Sequence, residues 1–344
     1  MTVSFFAYLS RLSDPGLLTA SVLTLAVILV NGWTDAPNAI ATAVSTGALP
    51  FRRAVRLAAV CNLLGVVCMT CLNASVAETV YSIALFVGGP RAALTALCAA
   101  MSAIVLWAGL AWWFGIPTSE SHALVAGLSG AAVALEGSLS CIRWDCWAKV
   151  LAGLVLSAAA GFWAGRKMER TLSSVKWKDR TFRLAQIPGA AGAAFFHGAQ
   201  DGQKFLGVFL LGTALAQGRG DEQTFPIPFW LMVLCAAFMA LGTLRGGRRI
   251  IDKVGREMVT LGPQEGLAAD LGSVLCLLAA TLLGLPVSTT HTRTAALLGV
   301  GRGAGTPVDW RVAGQVVLAW VLTFPGCMAI GYWTSKLNLA LLLP

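Results

Sequence analysis

The residues best suited to chemistry occur in two polar motifs, and each motif appears once in either half of the sequence. The first half contains NGWTDAPN at residues 31–38 and PTSESH at 117–122, and the second half contains HGAQDGQK at 197–204 and PVSTTH at 286–291. Asp35 and Asp201 are 166 residues apart, and His122 and His291 are 169 residues apart. Two motifs repeated in the same order at nearly one offset indicate an internal duplication.

The second motif of each half has the pattern of a helix start that binds an anion. A proline is followed by Ser and Thr residues and then by an apolar run, which is typical of a helix N-terminus. Free backbone N–H groups and the positive end of the helix dipole bind anions there. Helix capping alone would explain one hydroxyl residue in each copy but not several. Two such helix ends that face each other would enclose a tetrahedral oxyanion. The predicted anion ligands are Ser119, Glu120, Ser121, Gln203, Lys204, Ser288, Thr289 and Thr290.

The first motif of each half offers oxygen ligands for a hard cation, and a sodium ion fits them. The predicted cation ligands are Asn31, Thr34, Asp35, Asn38, Gln200 and Asp201. The spacing of His197 and Asp201 also occurs in zinc sites, but no further ligand follows at zinc spacing, so no metal beyond sodium is expected. We expect no cofactor. All three histidines, His122, His197 and His291, belong to the motifs and are expected to orient the hydroxyl ends or to share protons.

Glu120 is the carboxylate best placed to select among oxyanions. A partly protonated phosphate has an O–H donor, whereas sulfate has only acceptors. An ionised carboxylate only accepts hydrogen bonds, so it favours phosphate over sulfate. We therefore expect Glu120 either to discriminate between the two anions or to carry a proton.

Composition places these motifs in a membrane. Hydrophobic residues make up 57% of the 344 residues and charged residues only 12%, whereas soluble proteins carry about 25% charged residues. Ten apolar segments predict an all-α polytopic membrane protein in a lipid bilayer. They cover about 17–48, 54–74, 91–114, 117–136, 146–166, 188–216, 226–244, 265–285, 286–303 and 310–334.

The net charge of +9 does not indicate nucleic-acid binding, because 15 of the 25 Lys and Arg residues lie in three stretches that flank predicted spans, at 52–56, 166–183 and 245–256. Such basic loops are typically cytoplasmic. The loop after the first segment carries Arg52, Arg53 and Arg56, while its counterpart in the second half holds Arg219, Asp221 and Glu222. The bias reverses between equivalent loops, as an inverted repeat with five segments per half requires.

The predicted architecture is therefore two inverted-topology repeats of about five membrane segments each, with broken or half helices at the substrate site. Residues 1–165 form the first repeat, 166–187 a basic cytoplasmic linker and 188–344 the second repeat, with both termini outside. Leu17–Val30 spans 14 residues, or ~21 Å of helix against a hydrocarbon core of ~30 Å. We therefore expect an interruption near Asn31-Gly32, and matching interruptions point to a binding site.

At these motifs the chain resembles the inorganic phosphate transporter (PiT) family, in its bacterial form. The resemblance covers both halves and departs from the family pattern at Thr34, Gln200 and Glu120. It implies secondary active uptake of inorganic phosphate coupled to sodium or protons, and it is the basis for expecting a homodimer. The stretch Gly161–Gly165 is a GxxxG pattern that packs helices either within one chain or between chains.

The sequence thus predicts a phosphate symporter of the plasma (inner) membrane that works by alternating access. A sulfate permease of the same family is the alternative, against which Glu120 argues. An intramembrane enzyme that uses His and Asp as acid and base is a second alternative, but catalysis would need only one copy of the site. A passive anion channel fits the acidic residues poorly.

Overall fold

The structure, a computed structural model, describes residues 4–86, 89–219 and 226–342. Regular structure in these ranges is helical, apart from two isolated backbone bridges. The first half contains α1 (Phe5–Arg11), α2 (Pro15–Thr34), α3 (Ala41–Ser45), α4 (Phe51–Leu72), α5 (Ser75–Tyr81), α6 (Pro90–Trp113), α7 (Glu120–Glu136) and α8 (Trp144–Leu172). The second half contains α9 (Asp179–Ala216), α10 (Phe229–Arg245), α11 (Arg248–Asp252), α12 (Pro263–Leu282), α13 (Thr289–Ala304) and α14 (Trp310–Leu342).

The described helices confirm an all-α polytopic membrane protein. Six of them are long and apolar enough to cross a membrane, and the bent pair Phe229–Arg245 and Arg248–Gly255 makes a seventh if it is counted as one span. The predicted segments at 117–136 and 286–303 are the short helices α7 and α13, of 17 and 16 residues. Helices of that length reach only ~25 Å, which is less than the hydrocarbon core of ~30 Å. Both are buried along most of their length.

Helix packing follows the same scheme in both halves. The short helix α7 packs mainly on α14, and its counterpart α13 packs mainly on α8. Likewise α9 packs on α4 while α2 packs on α10, and α12 packs on α8 while α6 packs on α14. Each half therefore completes the core of the other, so neither half builds the interior by itself.

The glycine of each first motif lies where two helices cross at close range. Gly32 in α2 packs against the backbone of α10 at Met239, and Gly198 in α9 packs against the backbone of α4 at Asn62. A Cβ atom at either glycine would meet the carbonyl oxygen of the neighbouring helix. Small residues allow such close approach between membrane helices, where dispersion contacts replace the hydrophobic effect.

The expected interruption of the first helix is present, but it follows Thr34 and does not lie at Asn31-Gly32. Helix α2 continues through Thr34, and the chain then forms a 3-10 helix over Ala36–Ile40. Pro37 causes this break because it lacks an N–H group and disfavours helical geometry in the residue before it. The equivalent position in the second half is Gln203, and α9 runs without a break through Asp201. Only the first half therefore has a broken helix at this motif.

The three basic stretches lie at one end of the bundle. A common pocket is lined by Arg248 and Phe51. Phe51 is the first residue of α4, which carries Arg52 and Arg53. The Arg183 side chain lies 4.0 Å from the position that a Cβ of Gly47 would take. The connection between α8 and α9 is short, because α8 ends at Leu172 and α9 begins at Asp179. The acidic residues Asp221 and Glu222 of the predicted outer loop lie outside the described residues.

The GxxxG pattern packs helices within the chain. Gly161 and Gly165 of α8 lie against the backbone of α13 at Thr292 and Ala296. Each glycine allows the two helices to approach at one turn, which explains the spacing of four residues. The pattern is therefore occupied by an internal contact, and the expected homodimer draws no support from it.

We expect Gly198→Ala to destabilise the protein by about 1–3 kcal/mol, because the added methyl group must displace the α4 backbone. The matched control is Gly109→Ala in α6, where a Cβ would meet nothing within 4 Å. That change should be neutral or stabilising by up to ~1 kcal/mol, since Ala favours helix over Gly. The midpoint of thermal denaturation in detergent measures both effects. Equal midpoints for the two variants would contradict the close-packing interpretation.

Candidate functional site

The predicted site residues of both halves meet at the centre of the bundle. Asp35 and Asn38 come from the break after α2, and Asp201 and Lys204 come from the middle of α9. The N-termini of α7 and α13 bring the hydroxyl residues of the second motif. All of these side chains are buried. Residues from both halves of the chain therefore form one composite site.

The first cluster, named here the Asp35 cluster, consists of Asp35, Asn38 and Thr290. The amide of Asn38 donates to Asp35 Oδ1 at 2.9 Å and to Thr290 Oγ1 at 3.1 Å. The Thr290 hydroxyl donates to Asp35 Oδ1. These partners are neutral, and among the described residues no ion pair involves Asp35. The Asp35 carboxylate is therefore buried with hydrogen bonds but without a compensating positive charge.

The second cluster, named here the Asp201 cluster, consists of Asp201, Lys204 and Ser121. The Lys204 ammonium donates to Asp201 Oδ1, to Ser121 Oγ and to the carbonyl oxygen of Val287, each at 2.6 Å. An ammonium group has three donors, so all three are in use. Lys204, which is 2% exposed, thus joins α9 to α7 and to the segment before α13.

The other oxygen of Asp201 receives further hydrogen bonds from both halves. Asn31 Nδ2 and Thr289 Oγ1 each donate to Asp201 Oδ2 at 3.3 Å. His197 Nδ1 lies 3.5 Å from the same oxygen. One ligand atom from each of Asp35, His197 and Asp201 lies within 4.8 Å of the other two. The two clusters are therefore neighbours, with their carboxylates close enough to interact strongly.

Glu120 adds a third buried carboxylate beside the Asp35 cluster. It is 1% exposed and accepts a hydrogen bond from Thr34 through Oε1, while its Oε2 has no hydrogen-bond partner. A narrow cleft is lined by Asp35 and Glu120 together with Trp112 and Ile250. Glu120 thus has one carboxylate oxygen available to a ligand.

Several buried oxygen atoms at the site have no donor. They are Asn31 Oδ1, Asn38 Oδ1 and Glu120 Oε2. Gln203 Oε1 is also without a partner, but the Gln203 amide donates to the Asn73 carbonyl at the end of α4. Buried polar atoms in folded proteins nearly always have a partner, and those without one need an explanation such as a bound ion or water. Oxygen atoms accept hydrogen bonds or coordinate cations. Three such atoms beside Asp35 and Asp201, one of them from the Glu120 carboxylate, are suited to a cation, a proton or the O–H group of an oxyanion.

Other predicted ligands have structural contacts in this arrangement. Ser119 and Ser288 are the N-cap residues of α7 and α13, and each accepts from the backbone N–H three residues later. Gln200 donates to Thr281 Oγ1 at 3.0 Å and to the Leu285 carbonyl at 3.3 Å, while its own oxygen accepts from Val287 N. Gln200 therefore holds the segment that leads into α13, and its Nε2 and Oε1 atoms both point to that segment.

The three histidines separate into two places. The rings of His122 and His291 lie 4.5 Å apart, next to Phe324 and Trp320 of α14. His197 instead contacts Thr289 Oγ1 at 3.2 Å. Both ring nitrogens of His291 are buried without a hydrogen-bond partner. Only His197 therefore reaches a carboxylate of the site.

An ion pair between Arg293 and Asp270, which the sequence did not predict, lies next to the Asp35 cluster. Arg293 in α13 donates to Asp270 Oδ1 of α12 at 2.9 Å and to the backbone carbonyl of Asn38 at 2.9 Å. Thr42 also donates to Asp270 Oδ1, at 2.6 Å. Arg293 thereby fixes the broken segment that carries Asn38. The signal was present, because ionisable residues within apolar segments are rare and usually paired.

We expect Arg293→Gln to destabilise the protein by about 3–5 kcal/mol, because it leaves the Asp270 carboxylate buried without its charge partner. Adding Asp270→Asn should recover part of this loss, since the remaining pair is neutral. Thermal denaturation in detergent measures the effect, with the exposed Arg311→Gln as control. A single Arg293→Gln variant as stable as the native protein would contradict the role of the pair.

The chain is similar to a family of known transporters. The model of a family described as "Phosphate transporter family" matches residues 31–331. A protein of Rhizobium meliloti (strain 1021) named "Probable low-affinity inorganic phosphate transporter" is 37% identical over an alignment of 331 residues that covers 93% of this chain and 96% of the relative. A protein of the same name from Bacillus subtilis (strain 168) is 33% identical over an alignment of 317 residues that covers 90% of this chain and 93% of the relative.

A solved structure described as "The sodium-dependent phosphate transporter" has the same fold. It aligns with a TM-score of 0.87 at 22% identity, over 96% of this chain and all of that chain. The family match and the bacterial relatives confirm the resemblance that the motifs predicted. They also confirm that the protein is a transporter and not an enzyme. The chain belongs to the phosphate transporter family.

Proposed function

We propose that this protein imports inorganic phosphate by symport with sodium ions or protons, through alternating access. Inorganic phosphate is the substrate named for its bacterial relatives. The observation that carries the proposal is the charge of the site: Asp35 and Glu120 are buried without cationic partners where an anion must bind.

The charges require that cations accompany the anion. Asp35, Asp201 and Glu120 carry three negative charges when ionised, and Lys204 carries one positive charge. Two unit charges 4 Å apart interact by about 4 kcal/mol at an effective dielectric constant of about 20. Phosphate would add one or two further negative charges, so its binding to this buried site needs neutralisation. Cations or protons that bind with it supply that neutralisation and couple their gradient to phosphate.

The oxygen atoms of Asp35 and Asn38 in the Asp35 cluster, together with that of Asn31, are the proposed cation ligands. The carboxylate of Asp35 and the unpartnered oxygens of Asn31 and Asn38 offer the hard ligands that sodium takes. Sodium sites in transporters commonly lie at helix breaks, and Asp35 immediately precedes the 3-10 segment Ala36–Ile40. Protons can instead bind the carboxylates, and the ligand set accommodates either ion.

The N-termini of α7 and α13 are the proposed anion site. Their first turns offer backbone N–H groups and the positive ends of two helix dipoles. Ser121, Thr289 and Thr290 supply hydroxyl groups, while Ser119 and Ser288 act through capping. A hydroxyl group of phosphate would donate to the unpartnered oxygen of Glu120. Sulfate has no such donor, so this contact favours phosphate.

The predicted topology belongs to the same proposal. Residues 1–165 and 188–344 would be inverted repeats, with α7 and α13 entering the site from opposite membrane faces. The end of the bundle that carries the three basic stretches would face the cytoplasm, and both termini would lie outside the plasma (inner) membrane. The homodimer stays an expectation of the family resemblance.

The test of symport is uptake of radiolabelled phosphate into proteoliposomes under an imposed sodium gradient or an imposed proton gradient. We expect one of the gradients to drive phosphate accumulation above equilibrium. Asp35→Asn should reduce this accumulation at least tenfold, because it removes the uncompensated carboxylate. The control is Asp145→Asn, since Asp145 is exposed at the start of α8. Equal uptake with and without both gradients would overturn symport.

The test of anion selectivity is sulfate competition in the same assay. Sulfate should compete weakly with phosphate in the native protein, and Glu120→Gln should increase the competition by roughly tenfold, in line with ~1.4 kcal/mol of discrimination from one charged hydrogen bond. The matched control is Glu136→Gln at the exposed C-terminal end of the same helix. Strong sulfate competition in the native protein would favour a sulfate permease instead.

A further inference from the structure

The Asp35 cluster and the Asp201 cluster are the same contact pattern built twice. The offset of 166 residues pairs Asp35 with Asp201 and Asn38 with Lys204, and the offset of 169 pairs Thr290 with Ser121. In each cluster the residue three positions after the aspartate donates both to that aspartate and to the hydroxyl of the other half. The donor is an amide in the Asp35 cluster and an ammonium in the Asp201 cluster, and the ammonium makes a third contact, to the Val287 carbonyl.

The surroundings of the Lys204 ammonium are those of a small cation site. Its partners are a carboxylate oxygen, a hydroxyl oxygen and a backbone carbonyl oxygen, each 2.6 Å from Nζ. Carboxylates, hydroxyls and free carbonyls next to a helix start are also the ligands that sodium takes in transporters. The Val287 carbonyl is available because it precedes the first turn of α13.

The two clusters also differ in the charge of the groups that contact each aspartate. Asp201 is neutralised by Lys204 at 2.6 Å, whereas the described partners of Asp35 are neutral. All three donors of the Lys204 ammonium are used by Asp201, Ser121 and Val287, so none is free for phosphate in this arrangement. The Lys204 charge therefore serves Asp201, and the Asp35 cluster is the one that lacks a cation.

We propose that the Lys204 ammonium is a tethered cation, which permanently takes the position in the Asp201 cluster that a coupling cation takes in the Asp35 cluster. The transporter consequently binds one coupling cation fewer than a symmetric pair of clusters would bind. The inference rests on the proposed symport function, and it assigns to Lys204 a role in coupling stoichiometry in place of direct phosphate binding.

Sodium binding to the purified protein tests this assignment. Lys204→Asn makes the Asp201 cluster match the Asp35 cluster, with an amide at the third position and space for an ion. We expect this variant to bind one more sodium ion per chain than the native protein, as measured by equilibrium dialysis with radioactive sodium. The matched control is Lys204→Met, which also removes the charge but fills the space with an apolar chain of similar length. It should bind no additional sodium.

The mirror variant Asn38→Lys keeps the inference testable if Lys204→Asn does not fold. It places an ammonium in the Asp35 cluster, so phosphate uptake should lose its dependence on the imposed cation gradient. Phosphate exchange across the membrane, which needs no gradient, is the accompanying measurement that distinguishes lost coupling from lost binding. Retained gradient dependence in Asn38→Lys would overturn the inference.

The sodium measurement also separates this inference from the proposed function. An absence of extra sodium in Lys204→Asn, or an equal gain in Lys204→Met, would overturn the tethered cation. An absence of gradient-driven phosphate uptake in the native protein would overturn the symport proposal. Because sodium binding in detergent needs no transport, each result can be obtained without the other.

Discussion

The buried ion pair between Lys204 and Asp201 is the interaction on which the arrangement of the site depends. Both side chains are almost fully buried, and removing two charges from water is costly unless every donor and acceptor is used. The Lys204 ammonium meets this requirement only if α9, α7 and the segment before α13 converge at one point. The exchange of short helices between the halves brings about this convergence, since α7 packs on α14 and α13 packs on α8.

Close packing at small residues makes the convergence possible. Gly32 and Gly198 follow the first residue of the two equivalent motifs, and each allows another helix to approach three residues before an aspartate. The aspartates are thus positioned by helix crossings and not by loops, which gives the site a rigid frame. A second ion pair, between Arg293 and Asp270, holds the broken segment after α2 through the Asn38 carbonyl. The 3-10 segment of the motif, Ala36–Ile40, is therefore held by a charged contact.

The same charges account for the coupling that we propose. A site with three carboxylates and one ammonium is poorly suited to an anion alone, and it becomes suited to one when cations or protons bind. The difference between Asn38 and Lys204 then gives the two clusters different roles. The Asp201 cluster contains the Lys204 ammonium as its cation, and the Asp35 cluster takes a cation from solution. This division follows from the difference between an amide side chain at Asn38 and an ammonium side chain at Lys204, which occupy equivalent positions in the two clusters.

Much of this was readable in the sequence. The repeated motifs identified the duplication and all six residues of the two clusters, because buried polar residues stand out in apolar helices and their offsets are preserved. The apolar composition identified the membrane segments. It was harder to predict where the helices are continuous. Pro37 interrupts the helical geometry after α2, while α9 continues through Gln203 at the equivalent position. The glycine at each motif indicated a special position, yet whether it loosens a helix or admits a neighbour depends on what packs there.

The sequence by itself determined which residues are equivalent, since duplication preserves order and spacing along the chain. Only the tertiary structure decided which of them meet. Thr290 contacts Asp35 and Ser121 contacts Lys204, so each cluster is completed by a residue from the other half. The ion pair between Arg293 and Asp270 was not predicted from the sequence, because it depends on how α12 packs beside α13. Contacts between distant segments are set by the packing of whole helices, and the local pattern of residues does not specify that packing.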